Sequence, residues 1–175
     1  RSNFAIKEGL FKNEISPVEI SSKKGNKIID VDEEPLKFNQ EKLLSLKSVF
    51  QKDGSITAGN ASSLSDGAAA VCLASSEKVK DLNLNPIAKI IAQASFAMDP
   101  MYFTKAPIYA IKKVLKKSKL NINDIDLFEI NEAFSCVPLV AMEELNISID
   151  KLNINGGAVS LGHPIGASGT RILVT

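Results

Sequence analysis

The sequence predicts a layered α/β protein, and two observations carry that prediction. From residue 87 onward, short apolar runs alternate with stretches of helical periodicity, in the order strand, helix, strand, helix. The 175 residues are 45% hydrophobic and 23% charged, an ordinary globular balance with enough apolar material for one domain or parts of two.

Taken in order, residues 1–12 have the pattern of the end of an amphipathic helix that closes near Gly9. Ile15-Ser16-Pro17-Val18-Glu19-Ile20 alternates like a strand, Ser21 to Lys27 reads as a polar hairpin-type turn, and Ile28 to Asp32 resumes the strand. Asp30 to Lys52 is charge-rich and weakly periodic, a surface excursion with a short helix at Gln40–Leu46. Asp53-Gly54 marks a turn, and Thr57 to Leu64 is rich in small residues. Asp66 to Val71 has a helical look and leads into apolar Val71–Ala74, where Cys72 reads as a packed apolar thiol. Glu77 to Leu82 is a connector helix, and Pro86 breaks the chain before a strand at Ile87–Ala94. Ala106 to Leu120 spaces Ile108, Ile111, Val114 and Leu115 along one helical face, with Lys112, Lys113, Lys116, Lys117 and Lys119 as a solvated face. Ile125 to Ile130 is a strand entering Asn131-Glu132-Ala133-Phe134, and Ser135 to Leu145 is helical. Gly166 to Thr175 reads as a turn entering a helix.

Composition excludes several function classes. A formal net charge of +1 argues against a general nucleic-acid binder, which needs a cationic surplus for phosphates. No apolar run approaches the roughly 20 residues that span a bilayer. Two cysteines give neither a disulfide framework nor zinc-ligand spacing, which suits a reducing, intracellular setting. The first residues start inside a helix-like pattern and Arg171 to Thr175 stops in an apolar run, so the chain reads as a fragment.

Three clusters carry chemistry. Asn153 to Gly169 holds the single histidine, His163, among five glycines and directly before Pro164, which restrains its backbone toward extended conformations. Histidine suits proton transfer near neutral pH, although a lone histidine beside glycines also suits a plain turn. Asn131 lies at a strand end, where its amide can orient a water or polarise a carbonyl, or can cap a helix. Glu132 can act as a base, or as a carboxylate favoured at a helix start. Thr57-Ala58-Gly59-Asn60-Ala61-Ser62 offers close backbone approach and the Ser62 hydroxyl, or alternatively a tight crossing of elements. Nothing in the glycine-rich segment reads as a phosphate loop, and no second histidine or cysteine stands near His163 to complete a metal site.

Together the clusters resemble the thiolase family. Thr57 to Ser62, followed by Ser65-Asp66-Gly67-Ala68-Ala69-Ala70, is similar to its coenzyme A segment. Asn131-Glu132-Ala133-Phe134 matches its NEAF motif, and Asn155-Gly156-Gly157 through Gly169 its GHP motif, in the family's order along the whole chain. Val49-Phe50-Gln51-Lys52 and Asn153 to Gly166 look most like the biosynthetic-type acetyl-CoA acetyltransferase branch, particularly its mitochondrial short-chain members.

The resemblance implies a five-layered αβαβα fold of two similar halves. Residues 1–64 would be the later part of a loop domain, 65–86 the end of the first half, and 87–175 the start of the second. It implies a Claisen condensation of two acetyl-CoA molecules to acetoacetyl-CoA, and the reverse thiolysis, through a cysteine acyl-enzyme. The two cysteines involved would lie before residue 1 and after residue 175. His163 and Asn131 would be catalytic, His163 taking the nucleophile's thiol proton and Asn131 holding a water in the oxyanion hole. Lys37, Phe38, Asn39, Lys42 and Ser62 would contact coenzyme A, and carbonyls of Ala58, Gly59, Ala61 and Val159 would hold a potassium ion. A homodimer or homotetramer in the cytoplasm or mitochondrion is implied as well. A longer-chain 3-ketoacyl-CoA thiolase and a non-catalytic, acyl-CoA-binding thiolase-like protein are the alternatives. Met98 to Phe103 would shape the pocket or serve as a plain connecting loop.

Overall fold

The computed structural model describes residues 1–23 and 25–175. It opens with α1 (Ser2–Lys7), which closes where Gly9 takes φ +69°, as the sequence implies. β1 (Val18–Ser22) and β2 (Gly25–Ile29) pair antiparallel, with Val18 opposite Ile29 and Ser22 opposite Gly25. The sequence reading places these strands at 15–20 and 28–32, so residues read as turn are ladder residues instead. The reason is physical: β1 is exposed along its whole length, so no buried face sets its pattern. The register is instead tied by Asn26 Nδ2 donating to Glu19 Oε1 at 2.6 Å. The expected turn includes Lys24, which lies outside the described residues.

A 3-10 turn at Pro35–Lys37 leads to α2 (Gln40–Leu44), whose N-terminus is capped by Asn39, with Oδ1 accepting from the Lys42 N–H at 2.8 Å. Leu43 and Leu46 lie against the backbone of Gly59, where any side chain would overlap Leu43. That contact seats α2 on the small-residue segment 57–64. α3 (Ser76–Asp81) is capped by Ser75 in the same way, at 3.2 Å to the Lys78 N–H.

Two expected elements do not form. Asp66–Val71 is not helical and has no regular secondary structure; Gly67 packs against Pro164, where a Cβ would sit 2.7 Å from the ring. Cys72, expected to be packed, is exposed just after this run. Ile87–Ala94 likewise forms no strand among the described residues, leaving Ile90 and Ile91 exposed. What holds the end of that run is α4 (Ala106–Ser118). Lys113 and Lys117 donate to the carbonyls of Ser95 and Gln93 at 3.0 and 3.2 Å, and Phe96 stacks on Tyr109 at 4.8 Å. Two of the lysines read as a solvated face are therefore tethers.

The main core forms where α4 and α5 (Cys136–Leu145) meet the run 125–130. Ile108, Phe128, Ile130, Val137, Ala141, Leu145, Ile147 and Leu152 are buried together. Both helices end on a left-handed residue, Lys119 and Asn146, after which Leu120 N–H and Ile147 N–H reach back to Leu115 O and Met142 O at 3.1 and 3.0 Å. A smaller core of Ala5, Phe11 and Leu161 packs α1 on α6 (Ala158–Leu161).

The expected strand 125–130 is reduced to one parallel bridge, Phe128 with Leu152. Phe128 N–H donates to Lys151 O at 2.8 Å and Asn153 N–H to Phe128 O at 2.9 Å. At Asn153 the backbone turns away, at φ +44°, and the side chain continues the pairing. Its Oδ1 accepts from Ile130 N–H at 2.8 Å and its Nδ2 donates to Ile130 O at 2.9 Å. Asn153 is 3% exposed and Ile130 6%, so neither Ile130 group has water as an alternative partner. Asn153→Ala orphans both, at about 1–3 kcal/mol each. The expected result is a loss of about 2–5 kcal/mol in urea denaturation of the protein expressed from its complete reading frame. A loss below about 1 kcal/mol would contradict this role for Asn153.

Candidate active site

Residues 60–64 gather the other two clusters on their two edges. On one edge Ala61 faces Phe134 in an antiparallel bridge, with Ser62 N–H donating to Ala133 O at 3.1 Å and Ser135 N–H to Asn60 O at 2.8 Å. On the other edge Leu64 faces His163 in a parallel bridge, with His163 N–H donating to Ser63 O at 3.2 Å. Three segments far apart in sequence thus become neighbours. Gly162 is required at this junction: it takes φ +98°, and a Cβ would sit 2.5 Å from Ser65 Oγ.

His163 and Asn131 meet across the gap between the edges. Asn131 Nδ2 lies 3.5 Å from His163 Nε2, and His163 Nδ1 lies 2.7 Å from Ser168 Oγ. Ser168 is the first residue of α7 (Ser168–Val174) and is 2% exposed. Asn131 Oδ1 is buried and makes no hydrogen bond among the described residues. A buried amide oxygen without a protein partner is a place for a donor from outside the chain. Beside the histidine, a cleft of about 410 Å³ runs between residues 65–69 and 164–167.

Asn131 and Glu132 do not start a helix, contrary to the capping roles open to them in the sequence. α5 begins at Cys136 with Ser135 before it. Glu132 instead accepts from Asn153 Nδ2 at 2.8 Å and from Val159 N–H at 3.2 Å, tying the strand end to the first turn of α6. Gly157 makes this possible, because a side chain there would overlap the Glu132 carboxylate. Both oxygens of Glu132 are therefore engaged in structure. Asn153 holds residues on both sides of Asn131, namely Ile130 and Glu132, and so fixes where the Asn131 amide points. Sequence reasoning missed Asn153, the structural use of Glu132, and Ser168. A period-of-five link from His163 to Ser168 was the one local signal available.

The remaining candidates fall in two groups. Ser62 lies in the gathered segment, with its hydroxyl donating to Ala133 O at 2.9 Å and its lone pairs still available. Lys37, Phe38, Asn39 and Lys42 lie on the 35–44 excursion seated on Gly59. Asn39 serves as the α2 cap; Phe38 is exposed; Lys37 is paired with Glu34 at 2.5 Å, which raises its pKa. Lys42 makes no ion pair among the described residues. The carbonyls of Ala58, Gly59, Ala61 and Val159 accept no hydrogen bond among the described residues. Phe134 is met edge-on by Phe50 at 6.1 Å and by Phe103 at 6.2 Å, which brings the 98–103 segment beside the Asn131 motif.

Behind the site, Arg171 of α7 faces several carboxylates. Burial pushes the Glu129 carboxyl up to about 7, against the pull of Arg171 and with added repulsion from Glu132 and Glu14. Burial also raises Glu14 and Asp32, again opposed by Arg171. Glu129 Oε2 is buried and, among the described residues, has no hydrogen-bond partner.

Fold and site together define an α/β protein with a histidine–amide polar site on a backbone-stitched seam. Residues 1–77 match the family described as Thiolase, N-terminal domain, and residues 84–175 the one described as Thiolase, C-terminal domain. The chain belongs to the thiolase family. It is 54% identical over 175 residues to an acetyl-CoA acetyltransferase of Yarrowia lipolytica, covering all of this chain and 44% of that relative. The crystal structure of the Bacillus anthracis acetyl-CoA acetyltransferase superposes with a TM-score of 0.95 at 42% identity, over 99% of this chain and 44% of that one. Human mitochondrial 3-ketoacyl-CoA thiolase in complex with CoA gives 0.91 at 42% identity, over 99% and 43%. The fold is thus the thiolase fold in part, and the chain spans less than half the length of the relatives it matches. No helix among the described residues is long and apolar enough to cross a membrane.

The raised Glu129 pKa has a definite sign for stability. The unfolded chain ionises Glu129 near 4.5 and the folded chain near 7, so between those values the unfolded state binds fewer protons. Stability contributed by the neutral carboxyl is complete below 4.5 and is lost as pH rises toward 7. Glu129→Gln, which keeps the neutral shape, should match the parent in Tm near pH 4.5 and exceed it near pH 8. A Tm difference that stays constant with pH would contradict this.

Proposed function

We propose that this chain builds one wall of the thioester site of an acetyl-CoA C-acetyltransferase, which condenses two acetyl-CoA molecules to acetoacetyl-CoA and catalyses the reverse thiolysis. The observation that carries the reading is the meeting of His163 Nε2 and Asn131 Nδ2, 3.5 Å apart, beside the small-residue seam. The names of the similar proteins support the short-chain reading, and a related thiolase crystallised with CoA supports an acyl-CoA substrate. No residue in the 98–103 segment argues for a longer acyl chain.

In this reading the covalent step belongs to a cysteine thiol outside residues 1–175. That thiol gives its proton to His163, and the thiolate attacks the thioester carbonyl, from which coenzyme A thiolate departs. In the second half-reaction the other cysteine, also outside residues 1–175, takes a proton from the α-carbon of an acetyl-CoA, putting negative charge on its thioester oxygen. The resulting carbon attacks the acetyl group and releases the first cysteine as thiolate. His163, once protonated, donates to the thioester oxygen, while Asn131 orients a water that donates from the other side. A fixed donor at such an oxygen is worth about 10²–10³-fold in rate. Glu132 is not the base here, because both its oxygens are held by Asn153 and Val159.

Coenzyme A would lie along the 35–44 excursion, with Lys37 and Lys42 toward its phosphates, Phe38 against its adenine, Asn39 beside them and Ser62 toward a pantetheine amide. A potassium ion would take the carbonyls of Ala58, Gly59, Ala61 and Val159, oxygen donors of the type a hard cation prefers, and steady the seam. The two family matches divide between residues 77 and 84, which supports a reading in which 65–86 close one half and 87–175 open the next.

The test is acetoacetyl-CoA thiolysis by the protein expressed from its complete reading frame. Turnover is expected, and His163→Ala should lower it by at least about 10³-fold while calorimetry shows coenzyme A still binding. Inactivity of a folded parent carrying both cysteines would overturn the function. Equal turnover in parent and variant would remove His163 from it.

A further inference from the structure

The contacts around Ser168 bear on which nitrogen of His163 carries its hydrogen. A serine hydroxyl has a single hydrogen to donate. Ser168 Oγ lies 3.1 Å from Pro164 O and 2.7 Å from His163 Nδ1. A carbonyl oxygen can only accept, so a hydrogen bond to Pro164 O takes the hydroxyl hydrogen, beside the two backbone N–H groups that Pro164 O also accepts. Both contacts are hydrogen bonds at once only when the ring contact runs the other way, with Nδ1–H donating to Ser168 Oγ. A neutral imidazole has one N–H, so Nε2 carries a lone pair. On the other face of the ring, Asn131 Nδ2 lies 3.5 Å from Nε2, an orientation compatible with a lone pair there.

The arrangement is rigid. Ser168 is 2% exposed, so water does not compete for its hydroxyl. Its position is set by the tight turn that precedes α7, in which Ala167 N–H and Ser168 N–H also donate to Pro164 O, at 2.8 and 2.9 Å. Pro164 lies next to His163, so one short turn carries the ring, the carbonyl that takes the serine hydrogen and the serine itself.

We propose that Ser168 is a positioning residue that holds His163 as the Nδ1–H tautomer and thereby keeps Nε2 open to accept a proton. The structural content stands on these contacts alone; its consequence for turnover rests on the function proposed above. Without Ser168 the ring loses the acceptor that fixes Nδ1–H, and the free imidazole favours the opposite form, with the hydrogen on Nε2. That form cannot take a thiol proton at Nε2. Removing the hydroxyl does not strand the backbone, because Pro164 O keeps two N–H donors. Ser168→Ala therefore reports on the imidazole rather than on folding.

The test uses the protein from its complete reading frame, labelled with ¹⁵N-histidine, in long-range ¹H–¹⁵N correlation spectra at a pH where the ring is neutral. His163 is assigned by the signals lost in His163→Gln. The parent should show a protonated-type Nδ1 and an unprotonated-type Nε2. Ser168→Ala should move both shifts toward the Nε2–H form and lower kcat by about 10–100-fold, with KM changed by less than about twofold. Ser168→Thr, which keeps the hydroxyl, should restore the parent's tautomer. A parent with its hydrogen on Nε2, or a Ser168→Ala protein with an unchanged tautomer, would overturn the assignment. If the tautomers follow the expectation while no thiolysis is seen in the parent, the function falls and the role of Ser168 in setting the tautomer stands.

Discussion

The seam at residues 60–64 is the constraint on which the candidate site depends. Ser62 donates toward Ala133 and Ser63 accepts from His163, so adjacent residues bond to opposite sides, as in the middle strand of a three-stranded sheet. The motif at Asn131–Phe134 and the segment at His163 share no backbone–backbone hydrogen bond among the described residues. Each is instead registered against the same short piece of chain. Because bonding direction alternates residue by residue, a slip of one position would turn His163 or the Asn131 motif away from the other. The small residues of this segment follow from that crowding, with Leu43 against Gly59 and Ser65 against Gly162.

A second level of the structure turns the meeting of segments into a meeting of atoms. Asn153 supplies, with one side-chain amide, the hydrogen bonds a neighbouring strand would give to Ile130, and its Nδ2 also reaches Glu132. Glu132 in turn binds the first turn of α6, and the chain runs from there through Gly162 into His163. The carboxylate that looks most reactive in the motif is thus part of the frame. The groups left for chemistry are the imidazole Nε2 and the amide of Asn131.

The sequence made α1, α4, α5 and the motif clusters legible, and for a common reason. α4 shows its inward face through Ile108 and Ile111 at helical spacing, and α3, read at Glu77–Leu82, forms one residue earlier at Ser76–Asp81 because Ser75 caps it. Such signals are contained within one turn or two. His163 and Asn131 stood out because an imidazole and an amide among small residues are chemically distinctive. Strands were harder, since a strand is defined by a partner that lies elsewhere. Ile87–Ala94 has the composition of a buried strand, yet its visible partner is a pair of α4 lysines. The hairpin slid in register because its exposed faces left nothing for apolar alternation to report. Asn153 was invisible for a further reason: its role depends on a left-handed turn and on Ile130, both known only in three dimensions.

The stitching of the seam is open to one direct measurement. Native-state hydrogen exchange reads the opening free energy of individual amides. Ser62, Ser135 and His163 donate across the seam, whereas Leu64 and Ile165 donate to no carbonyl among the described residues and serve as internal controls. The expected result is slow exchange at Ser62, Ser135 and His163 with one shared opening free energy, and fast exchange at Leu64 and Ile165. Exchange of the three bonded amides as fast as the two controls would contradict a seam that holds His163 against Asn131.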